Sequence, residues 1–225
     1  QNVEAVLNGE LVSAVNMPPI AGDLAKLRPY TTLGEKLGAI YYQAEQERVK
    51  KIEIIYSGDL VDKPTKPITL AIIKGFLSVV SESEVNYVNA QLKLNEMGVE
   101  LIESKTSNLE KYTNLITVNF HRKSNTISLS GTVFAKDSIR IVDFFGYPLD
   151  FEPTKHVLAL QNIDVPGIIG KVGTLLGEKN VNIGAMQWSR RDAKSNKAVS
   201  FVSVDSDVSE EILEKLRNTE GIIKV

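Results

Sequence analysis

The stretch HVLALQNIDVPGIIGKVGTLLGEKNVNIGAM, His156 to Met186, decides how the C-terminal part of the chain folds. Val157 to Gln161 has strand character, and the chain then breaks at Asp164-Val165-Pro166-Gly167, where proline and glycine enforce a turn. Ile168, Ile169, Val172, Leu175 and Leu176 follow at helical spacing. Val181 to Ser189 returns to strand character, and Ala198 to Val204 predicts a third strand across a polar hairpin, Arg190 to Lys197. Ser209 stands where a helix N-cap belongs, with Glu210 and Glu211 in the first turn and Lys215 and Arg217 in the last, matching the helix macrodipole. Ile222 to Val225 supplies a fourth strand. The order βαββαβ is the ferredoxin-like plan, and it predicts a domain over residues 156–225.

Working outward, Glu152 to Lys155, with Pro153, predicts a short linker. Between Val49 and Phe151 the pattern mixes helix and strand. Ile52, Ile54 and Tyr56 alternate with Lys51, Glu53 and Ile55 in a strand that Ser57-Gly58 ends. Pro67 starts a helix with Ile68, Ile72, Phe76 and Val79 inward, and a shorter one with Val88 and Leu92 inward stops at Gly98. Val99 to Ser104, Leu115 to His121, Thr126 to Ala135 and Ser138 to Phe144 read as strands joined by polar turns. Residues 49–152 are therefore expected to form an α+β domain with a mixed or antiparallel sheet. Ahead of it, Pro29 is placed as the first residue of a helix to about Arg48, with Leu33, Leu37, Ile40 and Tyr41 on one face. Gln1 to Leu7 reads as the end of a helix that Gly9 stops, and Leu11 to Asn16 leads into a crossing at Met17-Pro18-Pro19. Residues 1–48 are expected to be the tail of other lobes, and a start at Gln1 suggests a piece of a longer protein.

The 225 residues are 43% hydrophobic and 24% charged, an ordinary globular composition that rules out wholesale disorder. A net charge of −2, with both signs interspersed, argues against nucleic-acid or anionic-membrane partners. With no cysteine there are no disulfides, thiolate nucleophiles or cysteine-held metal centres, and a reducing cytoplasm is the expected compartment. No apolar run approaches the length of a membrane span.

Few residues suggest chemistry. Gly167, Gly170 and Gly173 lack phosphate-loop spacing and read better as a helix face packing close to a sheet or a neighbouring subunit. His121 and His156, the only histidines, sit at strand ends with no matched carboxylate pair nearby in sequence. Tyr41, Tyr87 and Trp188 read as packing aromatics. The turn at Asp164 differs. Exposed amides at the following helix start suit a carboxylate, Asp164 can accept an ammonium group, Asn162 precedes it on the same strand, and Asn182 can donate and accept. These are the parts of a zwitterion receptor. Asp164 as a plain helix N-cap, with Asn182 as a strand-entry residue, fits the pattern equally well.

The string Gln161 to Met186 resembles the ACT regulatory domain in its D-x-P-G turn and later V-N-I. FLSVVSESEVNYVNAQLKLNEMGVEL (Phe76 to Leu101) and SGTVFAKDSIRIVDFFGYPLDF (Ser130 to Phe151) resemble the intervening domain of long-form D-3-phosphoglycerate dehydrogenases. VEAVLNGELVSAVNMP, from Val3, is similar to the segment that leaves the nucleotide domain in that family. The resemblance implies the regulatory part of an NAD-dependent oxidoreductase of serine biosynthesis, whose cofactor loop and catalytic residues lie outside this sequence. It implies homo-oligomers joined through ACT domains, with L-serine as feedback inhibitor bound between them. Asn162, Asp164 and Gly167 match the turn that holds serine, and Asn182 the asparagine reaching from a partner subunit. Relatives often carry histidine or tyrosine at position 162. Arg140 matches one position of a second, anion-binding site, where Glu152 is acidic in place of an expected base. Two other architectures use an ACT domain: the β subunit of a bacterial L-serine dehydratase, whose G-P-S-S-S-H-T motif is not found here, and a stand-alone amino-acid sensor.

Overall fold

The computed structural model describes residues 24–81, 83–109, 111–135, 137–192 and 195–225. The expected helix end at Gln1 to Leu7, the stretch Leu11 to Asn16 and the crossing at Met17 to Pro19 lie outside the described residues. The chain divides into two compact units between Ile141 and Val142.

Among the described residues, the first element of the first unit is helix α1, Leu24–Glu45. Pro29 lies inside this helix rather than at its start. A proline in the second turn forfeits only a bond to the carbonyl four residues back, so upstream residues extend the helix past it. Gln46, at φ 50°, ends it short of Arg48. Strand β1, Lys51–Gly58, follows, then α2, Lys66–Ser78, and α3, Ala90–Glu96. Strands β2 (Glu100–Thr106), β3 (Asn114–His121), β4 (Thr126–Phe134) and β5 (Ser138–Phe144) complete the plan, and the unit boundary falls within β5. A further strand, β6 (Tyr147–Phe151), adds to those expected from the sequence pattern. The sheet order is β2-β1-β3-β4-β5-β6, with β1 and β2 parallel and β1-β3-β4 antiparallel, so the sheet is mixed as expected.

Helices cover one face of this sheet. The alternation in β1 and β3 puts Ile52, Ile54, Tyr56, Ile116, Val118 and Phe120 beneath them, all fully buried. Tyr41 of α1 stacks on Phe120 with centroids 4.3 Å apart, and Phe76 of α2 closes the cluster. Burial holds the Tyr41 phenol up at about 12. α1 and α2 approach closely because glycines meet backbone. A Cβ added to Gly38 would lie 2.1 Å from the Ile72 carbonyl oxygen, and one at Gly75 2.0 Å from that of Glu35. Two inward assignments are corrected. Val79 is 44% exposed at the C-terminus of α2, and α3 buries Ala90 and Leu94 while Val88 and Leu92 face outward.

The second unit carries, beside the end of β5 and β6, strands and helices β7 (Val157–Ile163), α4 (Ile168–Glu178), β8 (Ile183–Arg190), β9 (Lys197–Val204), α5 (Glu210–Arg217) and β10 (Ile222–Lys224). The sheet order β10-β7-β9-β8, with β9 antiparallel to both neighbours, is that of the predicted βαββαβ plan. Leu158, Leu160, Val202 and Val204 meet Val172, Leu176, Ile212 and Leu216 in its core. On the other face, Phe201 packs against Phe144 and Phe151 at 4.8 and 5.1 Å. The hydroxyl of Ser209 makes no cap bond to α5. Among the described residues, no helix is long and apolar enough to cross a membrane.

Candidate functional site

The turn after β7 is positioned by three strands. Asn162 lies opposite Ala198 of β9, and Ala198 opposite Arg190 of β8, so Arg190 stands level with the end of β7. The Asp164 amide donates to the Asn196 carbonyl at 2.9 Å, tying the turn to the β8–β9 hairpin. The N-cap of α4 is Gly167, not Asp164, which removes the plain capping role for that carboxylate. Gly167 adopts φ 93°, ψ −16°. A Cβ built there would meet nothing within 4 Å, so the left-handed backbone, not crowding, requires glycine. A Cβ added to Gly170 or Gly173 would equally meet nothing within 4 Å, so these glycines do not bring α4 close to the sheet.

Asn162 is fully buried on the helix-facing side of β7. Its Nδ2 donates to the Ile163 carbonyl at 2.8 Å, while its Oδ1 has no protein partner among the described residues. The hydroxyl of Ser200, opposite Leu160 on the same face, is likewise buried and without a partner. Buried acceptors of this kind are normally satisfied, because leaving one unmade costs about 1–3 kcal/mol.

Asp164 is engaged from outside. Arg190 Nε lies 2.5 Å from its Oδ2, and Nη2 donates to its Oδ1 at 3.3 Å. The carboxylate side chain is 19% exposed and the guanidinium side chain 60%. Asn182, the fourth expected member, is elsewhere. It precedes Ile183, which pairs with Val204, so it sits at the opposite end of β8 from Arg190. At about 3.3 Å per residue that places it roughly 25 Å along the strand. Its Nδ2 donates to Asp205 Oδ2 at 2.6 Å. Within one chain Asn162, Asp164 and Gly167 therefore gather at one end of the sheet and Asn182 does not join them. Sequence places Arg190 only in a polar hairpin; a charged residue after a strand carries no signal that it will face a particular carboxylate.

The remaining candidates lie apart. Arg140 is half-buried on β5 and its Nη1 donates to the Ile139 carbonyl at 3.3 Å. His121 has Nε2 3.3 Å from Glu53 Oε2 and Nδ1 2.9 Å from Thr126 Oγ1, and His156 Nδ1 lies 2.7 Å from Asp207. The Asn119 amide and then His121 hold the Glu53 carboxyl below its ordinary value. Among the described residues no three histidine or acidic side chains group as metal ligands. Tyr41 is a core residue, and Tyr87 donates its hydroxyl to Glu35 of α1. A groove of about 570 Å³ between α4 and α5 is lined by Lys171, Lys179 and Lys215, which are paired with Glu220 and Glu211.

Residues 26–145 match the family model of the D-3-phosphoglycerate dehydrogenase intervening domain, and residues 156–221 match that of the ACT domain. The chain is 33% identical over 216 residues to the D-3-phosphoglycerate dehydrogenase of Bacillus subtilis, covering 96% of this chain and 41% of that protein. It is 34% identical over 212 residues to the protein of that name from Synechocystis, covering 93% and 38%. For that of Methanocaldococcus jannaschii the identity is 34% over 224 residues, covering 99% and 42%. The chain thus spans about two fifths of the length of these relatives.

Proposed function

Since this chain belongs to the D-3-phosphoglycerate dehydrogenase family, with that enzyme's intervening domain and an ACT domain in succession, we propose that it is the regulatory portion of an NAD-dependent oxidoreductase that opens serine biosynthesis. The ACT domain of residues 156–225 binds L-serine, and binding lowers the activity of the catalytic lobes. Residues 49–152, with α1 packed on their helices, form the intervening domain, and residues ahead of α1 lead from the catalytic lobes. The protein works in the cytoplasm as a homo-oligomer. Arg140 belongs to an anion site in the intervening domain.

One observation carries the assignment of the effector site to a junction of two copies. Asp164 and Asn182 occupy opposite ends of one sheet, while β8 is an edge strand whose residues Gly184 and Ala185 are exposed. Antiparallel pairing of β8 with β8 of a second copy about a two-fold axis brings Asn182 of one copy to the Asp164 turn of the other. Two such sites form per pair. Asp164 receives the ammonium group, the amides at the start of α4 face the carboxylate, and Asn182 closes the site from across the junction. Serine favours the paired arrangement by its differential affinity, and that coupling is the regulatory signal.

Calorimetry on the 225-residue chain with L-serine, D-serine and glycine, beside activity measurements on the full-length enzyme, tests this. L-serine is expected to bind stereoselectively and to inhibit. No stereoselective binding by the chain, with no response of the intact enzyme, would contradict it.

A further inference from the structure

The Asp164 turn already holds a cation. Arg190 spans both carboxylate oxygens, Nε to Oδ2 at 2.5 Å and Nη2 to Oδ1 at 3.3 Å, with the carboxylate sunk into the surface and the guanidinium outside it. Resting on the amino-acid-binding function proposed above, we propose that Arg190 is the carboxylate-recognising residue of that site, and that it exchanges Asp164 for the ligand's carboxylate. An α-amino acid enters by splitting this pair: its ammonium group takes Asp164, and its carboxylate takes the released guanidinium.

Charge balance supports the exchange. A zwitterion brings one charge of each sign to a site that already contains one of each, so the bound complex has no uncompensated charge. Had Asp164 stood alone, the ligand's carboxylate would have only backbone amides to meet it. The fork of the guanidinium matches a carboxylate with two parallel hydrogen bonds, a geometry a lysine cannot reproduce. Because the arginine side chain is 60% exposed, turning it outward costs little; exposed ion pairs are worth about 0–1 kcal/mol.

A buried polar group lies near the same strand end. The amide oxygen of Asn162, two residues before Asp164, is wholly buried and has no partner among the described residues.

The experiment is calorimetry on the 225-residue chain and its Arg190→Gln and Arg190→Lys variants with L-serine, ethanolamine, which lacks the carboxylate, and D-glycerate, which lacks the ammonium group. Arg190→Gln is expected to weaken L-serine by about tenfold or more, equivalent to about 1.4 kcal/mol. Ethanolamine binding is expected to hold or tighten, since Asp164 is freed. Arg190→Lys should recover part of the serine affinity. An unchanged or tighter L-serine affinity in Arg190→Gln overturns the inference, because Arg190 is then only a counter-ion that the ligand expels. A parent chain that binds no amino acid overturns the proposed function and this inference together, a result distinct from the first. Thermal unfolding of the variants at the parent's midpoint shows that the fold is kept.

Discussion

At the scale of single residues, the glycines of the D-x-P-G helix separate into two kinds. Gly167 holds a left-handed backbone conformation at the entry to α4, while Gly170 lies inside the helix with open space where a side chain would go. Gly167→Ala is therefore expected to destabilise the chain by about 1 kcal/mol, the cost of a left-handed alanine. Gly170→Ala is expected to stabilise it by about 0.5–1 kcal/mol through helix propensity. Urea unfolding of both variants checks the signs; a stabilising Gly167→Ala would mean that the turn is not held as described. The Asp164 turn and the glycine after it are legible in sequence because proline, glycine and aspartate have local preferences that survive without tertiary context. The pairing of Arg190 with Asp164 is not legible, because it depends on β8 and β7 ending level, and that register exists only once β9 has aligned between them.

At the scale of elements, periodicity finds nearly every helix and strand, and fails where the pattern is short. α3 has seven residues, too few for two full turns, so Val88 and Leu92 offer as good an apolar stripe as Ala90 and Leu94. Leu94 is fully buried and Leu92 is 61% exposed. Leu94→Ala is expected to cost about 2–5 kcal/mol and Leu92→Ala less than about 0.5, measured by chemical denaturation. A reversed order would restore the sequence-based phase. β6 escapes the pattern for another reason. It is only five residues long and follows β5 across a two-residue turn at Phe145–Gly146, both at positive φ, so the pair reads as one continuous apolar stretch. Between α4 and α5 the exposed carboxyl of Glu211 is drawn down to about 2 by hydrogen bonds from Lys179 and then Lys215. Its folded value lies below the ordinary 4.5, so its contribution is complete above about pH 4.5 and is lost as pH falls through about 2. The melting temperature of the parent is expected to exceed that of Glu211→Gln slightly at pH 7. The gap should close towards pH 2 and shrink in high salt, since the pair is solvent-exposed. A gap that widens on acidification would reverse the sign.

At the scale of the whole molecule, Asn182 and the Asp164 turn, the two halves of the proposed effector site, are held apart by the length of β8. That separation is a fixed consequence of strand rise and sheet order, and no side-chain rearrangement within one chain closes it. The ferredoxin-like plan is readable from the C-terminal pattern, whereas the separation of Asn182 from the Asp164 turn within one chain becomes visible only with the registers in hand. The most direct measurement mixes two defective chains, Asp164→Ala and Asn182→Ala, each expected to have lost L-serine binding alone. If every site draws Asp164 from one copy and Asn182 from another, random pairing of an equimolar mixture rebuilds one intact site in each mixed pair, roughly a quarter of the parent's sites. Calorimetric titration with L-serine is then expected to recover about that fraction at parent affinity. A mixture that binds no more L-serine than either variant alone would contradict a site shared between copies.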